Sequence, residues 1–202
     1  MVPKTDFFIG GLVGFFAGMF AIPTLMNLGF RNPAILLTLP WVLAIVFVIG
    51  ILVSGALAKF LPIFSQFGRF VAVGVLNTTI DFGVLNLISA AAGVTAGVVI
   101  GGVNVPGFVV AVTNSYFWNK LWVFKQQDTK LFHDLPQFFA VTAGGVILNS
   151  LIVVMLTSFL HPVFGFTPAR WLTIAKLCAT AFTLVWNFLG YKFIVFRQRR
   201  PV

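Results

Sequence analysis

The chain has 202 residues, of which 59% are hydrophobic and only 8% charged, with a mean hydropathy of +1.05. A soluble domain carries about a quarter charged residues, so this chain cannot cover itself with polar surface and lipid must be its solvent. Its 13 Lys and Arg stand against 4 acids, a net charge of +9. No soluble basic face exists to bind nucleic acid, and the excess reads as the positive-inside bias of membrane loops.

The same inventory narrows the chemistry. One cysteine, Cys178, excludes an intrachain disulfide and a cysteine metal cluster. His133 and His161 stand apart and there is no glutamate, so neither metal nor cofactor is expected. No Gly-x-x-x-x-Gly-Lys-Ser/Thr occurs, which argues against ATP-driven pumping. Besides Asp81, the acids Asp6, Asp128 and Asp134 are scattered in the tail and the long loop. No acid pair can hold a metal–nucleotide-sugar complex at the membrane face, so no enzyme is expected.

In chain order, the apolar run Phe7–Leu28 has the length of a membrane span. It is too long for a signal-peptide core and reads as a retained helix. Gly10, Gly14 and Gly18 recur along it and leave a stripe where another helix can approach closely; a homodimer is one use for it. Ile35–Leu57 returns across the membrane, and Lys59 and Pro62 mark a boundary. A third helix is expected over Phe67–Ala92. A fourth runs from near Ala96 to between Lys120 and Phe124, with Asn104-Val105-Pro106-Gly107 as an interior flaw where proline removes a backbone hydrogen bond. The alternative for that stretch is a re-entrant segment over 94–104 and a shorter helix from Val105. The longest polar loop follows, Lys125–Gln137. The fifth helix is expected over Pro136–Leu160 and the sixth over Pro168–Val195, with Thr167-Pro168 as N-cap and first-turn proline.

The chain therefore reads as all-α, a polytopic bundle of six transmembrane helices divided into an N-terminal hairpin (1–62) and a four-helix domain (63–202). That domain is a duplication. Its first copy, 67–125, opens Arg69-Phe70-Val71-Ala72-Val73-Gly74, passes Asn77 and Asp81, and closes Asn119-Lys120-Leu121-Trp122-Val123-Phe124-Lys125. The second, 136–197, opens Gln137-Phe138-Phe139-Ala140-Val141, carries Asn149 where the first has Asp81, and closes Tyr191-Lys192-Phe193-Ile194-Val195-Phe196-Arg197. Six spans put both termini on one side with most of the bases, which assigns that side to the cytoplasm.

Two polar groups stand out against this background. Asp81 lies ~18 Å along its helix from Arg69, and Lys176 ~12 Å in from the opposite side. In a core about 30 Å thick these depths coincide, so Asp81, Asn104, Asn149 and Lys176 can share one level. An ion pair with amide glue and a polar track for a substrate are both open readings, and proton exchange at Asp81 is a third. At the cytoplasmic edge stand Arg69, Asn114, Asn119, Lys120, Asn187 and Lys192, with the aromatics Trp122, Tyr191 and Phe196. An interfacial belt explains part of this group. Cations with amide donors at headgroup depth also suit a lipid phosphate.

The order Arg69-Phe70…Gly74…Asn77…Asp81, then Asn119…Trp122-Val123-Phe124, then Val195-Phe196-Arg197 resembles the GtrA-like family over about residues 65–198. The resemblance implies a multi-pass protein of a prokaryotic cytoplasmic (inner) membrane. It would move a polyprenyl-phosphate-linked monosaccharide to the outer leaflet for O-antigen, teichoic acid or arabinogalactan-type polymers. Its partners would be that sugar lipid, membrane lipids and a membrane glycosyltransferase. On this expectation Arg69, Lys120 and Lys192 hold the phosphate, with Asn114 and Asn187 as hydrogen-bond donors. Asn77, Asp81, Asn104, Asn149 and Lys176 then line the sugar's path. The rival readings are a non-transporting anchor or stabilising subunit of a glycosyltransferase and a small ion-coupled exchanger centred on Asp81. Two departures from the family pattern are the hairpin before Lys59 and the presence of Tyr191 and Ile194 where the first copy has Asn119 and Trp122.

Overall fold

The computed structural model describes residues 3–93, 99–126, 131–160 and 168–197, apart from the side chains of 99–104, 157 and 168–177. All regular structure among them is helical: α1 (Lys4–Asn27), α2 (Pro33–Leu57), α3 (Ile63–Ala92), α4 (Val99–Trp118), α5 (Leu135–Ser158) and α6 (Pro168–Gly190). The last turns after α4 and α6 are wider π-helical segments, π1 (Asn119–Val123) and π2 (Tyr191–Val195). Among the described residues, five stretches are long and apolar enough to cross a membrane: α1, α2, α3, Leu135–Leu156 and Cys178–Val195. The protein is a polytopic helical membrane protein.

Local chemistry sets the helix ends. Asn32 accepts the Ala34 N–H at 3.0 Å and Pro33 starts α2, a side-chain cap followed by a residue whose missing N–H is not needed there. Gly93 ends α3 in the left-handed region, φ 67°, where a Cβ is costly. The expected start of the fourth helix near Ala96 lies outside the described residues. From Val99 onward α4 runs unbroken through Asn104 and Pro106 to Trp118, so the shorter helix beginning at Val105 is not what forms. In a bilayer an unpaired stretch of backbone is more costly than the one hydrogen bond a proline removes.

The chain divides into two compact units, 1–125 and 126–202. Within unit 1, α1 packs on both α2 and α3 and so joins the N-terminal hairpin to the first repeat. The Gly10/Gly14/Gly18 stripe is the reason α1 and α2 approach so closely. A Cβ on Gly14 would lie 2.5 Å from the Leu43 carbonyl oxygen, and one on Gly18 would enter the Pro40 backbone. The stripe is thus covered from within the chain and offers no face to a second copy. Gly14→Val should part the two backbones and cost about 3 kcal/mol, read as a fall in the unfolding midpoint in detergent. Gly11→Val, whose Cβ meets Val48 at an ordinary 3.5 Å, should change little; equal effects would contradict this packing.

Within unit 1, α3 packs on α4, and within unit 2, α5 packs on α6. Each repeat is therefore one hairpin of helices ending in a π-segment. The Phe124 N–H closes the first on the Asn119 carbonyl at 2.9 Å, and the Phe196 N–H closes the second on the Tyr191 carbonyl at 2.7 Å. At the far end of unit 1, Asn27 Nδ2 donates to Asn86 Oδ1 at 2.8 Å, and Asn86 Nδ2 donates to the Phe82 carbonyl at 2.7 Å. This tie between α1 and α3 fixes which ends lie together: the start of α1, the start of α3 and the end of α4.

Candidate functional site

The polar residues of the first repeat lie along the interface of α3 and α4 at successive depths. At the mouth is a cluster around Asp6, from the first turn of α1, whose side chain is 2% exposed. Arg69 Nη1 donates to Asp6 Oδ2 at 2.9 Å, and Trp122 Nε1 donates to Asp6 Oδ1 at 3.1 Å. Lys125 Nζ lies 3.6 Å from the same Oδ1. Asp6 also gains from its place at a helix N-terminus, where backbone dipoles favour negative charge. Arg69, expected as a phosphate ligand, is thus buried and engaged by a carboxylate of the same chain. Its Nε is buried without an acceptor among the described residues.

Eight residues further along α3, ~12 Å deeper, Asn114 Nδ2 donates to Asn77 Oδ1 at 2.6 Å. Four residues beyond that, ~6 Å, Asp81 meets Gly107. A Cβ on Gly107 would lie 2.7 Å from the Asp81 carbonyl oxygen and 3.1 Å from Oδ1. That oxygen is buried and has no hydrogen-bond partner among the described residues. The pairings 69 with 122, 77 with 114 and 81 with 107 keep one antiparallel register, so these contacts form one polar seam. Asn77, Asp81 and Asn114 are each half-buried, which leaves the edge of the seam within reach.

The second repeat builds its seam in the same order. Tyr191 stacks on Phe138 with ring centroids 4.7 Å apart, and its hydroxyl pairs with Thr142 Oγ1 at 2.8 Å. Deeper, Asn187 Oδ1 sits over Gly145, 2.6 Å from where a Cβ would be, again buried and without a partner among the described residues. Asn149 Nδ2 then donates to Thr183 Oγ1 at 3.2 Å. By the alignment of Asp81 with Asn149, Gly145 stands where Asn77 stands. The amide that α3 supplies in one repeat comes from α6 in the other, and glycine leaves the room for it.

The two lysines of the closing motif repeat a further contact. Lys120 Nζ lies 5.8 Å from the Tyr116 ring centroid, and Lys192 Nζ lies 5.9 Å from that of Phe188. In both the partner ring is four residues earlier, on the face of the helix that a lysine one turn later can cover. Lys120 is 1% exposed, so it is no snorkelling anchor; Lys192 is half-buried. Phe196 packs on Tyr191 and Phe138, and Trp122 on Trp118 with centroids 5.7 Å apart. These aromatics are buried packing elements rather than an outward belt.

The expected grouping of Asp81, Asn104, Asn149 and Lys176 joins both units. Asn104 and Lys176 have their backbones on α4 and α6, and their side chains lie outside the described residues. Sequence reasoning missed Asp6, which it left among scattered acids. The available signal was its place in the first turn of a helix whose start shares a membrane face with Arg69, in a chain with only 4 acids. It also missed Thr142 and Thr183, because a threonine in an apolar helix bonds its own backbone as readily as a neighbour's.

A duplicated pair of apolar helices, each pair with a polar seam and a lysine-bearing π-helical end, defines a small multi-pass membrane protein built on an internal repeat. Residues 69–196 match the family model "GtrA/DPMS, transmembrane domain", and the chain belongs to that family. The family is associated with flipping of lipid-linked sugars, and its GtrA-like members are generally translocases rather than enzymes. The chain is also similar to the uncharacterized membrane protein YngA of Bacillus subtilis (strain 168). The two are 30% identical over 132 residues, 64% of this chain and 78% of that protein. No solved structure matches the chain.

Proposed function

We propose that the protein flips a polyprenyl-phosphate-linked monosaccharide across the cytoplasmic membrane of a prokaryote, for glycosylation of a cell-surface polysaccharide. Both termini and the π-helical ends face the cytoplasm in this reading, where the basic residues cluster. The observation that carries it is the pair of buried acceptor oxygens, Asp81 Oδ1 and Asn187 Oδ1, each in a seam against a glycine and each without a donor among the described residues. Leaving such an oxygen unmet costs about 1–3 kcal/mol, and in native proteins a buried unmet acceptor calls for an explanation. Sugar hydroxyls are donors of the required kind. In the first repeat Lys120 receives the phosphate, Asn77 and Asn114 pass the hydroxyls along and Asn104 serves the same path; in the second repeat Lys192, Asn149 and Lys176 have the corresponding roles. The prenyl chain stays in lipid, so no closed aqueous pore is needed.

The test is reconstitution. Purified protein alone, in phosphatidylcholine vesicles, should speed the arrival of a short-chain polyprenyl-phosphate sugar at the opposite leaflet at least tenfold over protein-free vesicles. If it does so only with a sugar-lipid glycosyltransferase present, the anchoring-subunit reading replaces this one.

A further inference from the structure

The first repeat carries more anion-binding capacity at its mouth than Asp6 uses. A guanidinium, an indole N–H and an ammonium converge on one carboxylate, and the Arg69 Nε–H is buried with no acceptor among the described residues. Indole and guanidinium nitrogens are donors only, and with two cations among the three groups this cradle favours an anionic acceptor. The second repeat has no such set: Gln137 and Ile194 stand where Arg69 and Trp122 stand. The cradle's own residues, Arg69, Trp122 and Lys125, lie in the family-matched segment, whereas Asp6 comes from the hairpin before it.

Lys125 adds a second, independent mark. It lies two residues past the end of π1, after Phe124, and is the one non-glycine residue with positive φ, 49°, among the described residues. An L-residue in that region costs roughly 1–2 kcal/mol, and such strain persists where the surroundings hold it for a purpose. The effect of the reversal is to bring a half-exposed ammonium to a carboxylate that already has a guanidinium partner.

We infer that Arg69, Trp122 and Lys125 form a binding site for a phosphate group, and that Asp6 is a tethered carboxylate that occupies it and must be displaced for the phosphate to enter. The hairpin before the repeats thereby sets the affinity of the entrance. An internal competitor lowers apparent affinity by the fraction of molecules in which the site is open; removing its charge raises that fraction. A phosphate reaches the cradle with tetrahedral geometry: the diester of a sugar lipid offers two non-bridging oxygens beside its two bridging ones, and a monoester offers three, so one can meet the Nε–H that Asp6 leaves idle. The inference takes its ligand class from the function proposed above, while its test reads binding without transport.

The test uses the full chain in phosphatidylcholine nanodiscs, with the Trp122 indole N–H resonance, assigned by its loss in Trp122→Phe, as reporter. Citronellyl phosphate and inorganic phosphate are titrated in separate arms. Asp6→Asn, which keeps shape and loses charge, should half-saturate with citronellyl phosphate at one-tenth or less of the wild-type concentration. Lys125→Gln, at a half-exposed position that folding tolerates, should raise the wild-type value at least threefold. Saturation by both probes assigns the site to the phosphate group itself, and saturation by citronellyl phosphate alone assigns it to a lipid-borne phosphate; either supports the inference. Equal half-saturation in wild type and Asp6→Asn overturns it, as does no saturable shift with either probe. Should Asp6→Asn fail to fold, the comparison of wild type with Lys125→Gln decides: no difference overturns the inference.

Discussion

Replacing Asp6 with leucine should destabilise the folded protein by about 3–5 kcal/mol, because it strands a buried guanidinium with no counter-charge. Arg69 is 7% exposed and Asp6 is its one ion-pair partner among the described residues, so no neighbour can take over. Arg69→Met should cost a similar amount by stranding the carboxylate, softened by Lys125 at 3.6 Å. The double variant should recover to within about 2 kcal/mol of wild type, since an apolar pair of similar volume removes both desolvation costs together. What stays lost is the Trp122 N–H bond, about 1 kcal/mol. The measurement is a double-mutant cycle in detergent unfolding, and the expected sign is a large favourable coupling. Additive single effects of under 1 kcal/mol each would mean that the pair is solvated and that α1 does not seal the mouth.

The second large effect falls on transport and spares stability. Asn77→Leu with Asn114→Leu removes the middle rung of the first seam as a unit, so neither amide is left facing a gap. Hydrogen bonds between membrane helices average only about 0.6 kcal/mol, and leucine restores packing, so the unfolding midpoint should shift little. A sugar passing that level then loses its donors and acceptors, with about 1–3 kcal/mol for each hydroxyl left unmet. Two such hydroxyls slow transfer by roughly 30-fold to about 25,000-fold. The check is the initial flipping rate in vesicles beside the unfolding curve of the same preparation. An unchanged rate would remove the seam from the path; a large loss of stability would make the pair structural.

The sequence carries the repetition and the helices well, and the reason is physical. Spans need about 20 apolar residues each, and duplication writes the same hairpin twice, so Phe67–Ala92 and Pro136–Leu160 are legible within a few residues of α3 and α5. The polar seam is also foreshadowed, since Asn77, Asp81, Asn114, Asn149 and Asn187 are conspicuous in apolar runs. Their grouping is not, because depth along a helix can be counted whereas its rotation about the axis is set by packing. Counting places Asn77, Asn114 and Asp81 at successive depths; packing is what lines them along one interface. The π-segments are invisible beforehand. Asn119-Lys120-Leu121-Trp122-Val123 reads as one more helical turn, and only the tertiary position of Lys120 and Trp122 shows what the wider turn accomplishes.

Asp6 teaches a related lesson. Its chemistry is ordinary and its partner lies 63 residues away, beyond any local pattern. The glycine stripe on α1 reads correctly as a packing surface, yet its partner is α2 rather than a second molecule. Sequence identifies a surface that demands a neighbour; connectivity decides which neighbour arrives first. A tight hairpin supplies α2 at high effective concentration, and a second copy must compete with that.

If the sugar headgroup travels along the α3–α4 interface, photo-crosslinking will catch it there. A short-chain polyprenyl-phosphate sugar bearing a diazirine on the sugar is equilibrated with reconstituted protein, irradiated, and its adducts mapped by mass spectrometry. Adducts should concentrate at Asn77, Asp81 and Asn114 and be competed away by unlabelled substrate. Adducts confined to the outward-facing Val75, Phe82, Val109 and Val110, or unaffected by competitor, would contradict that path.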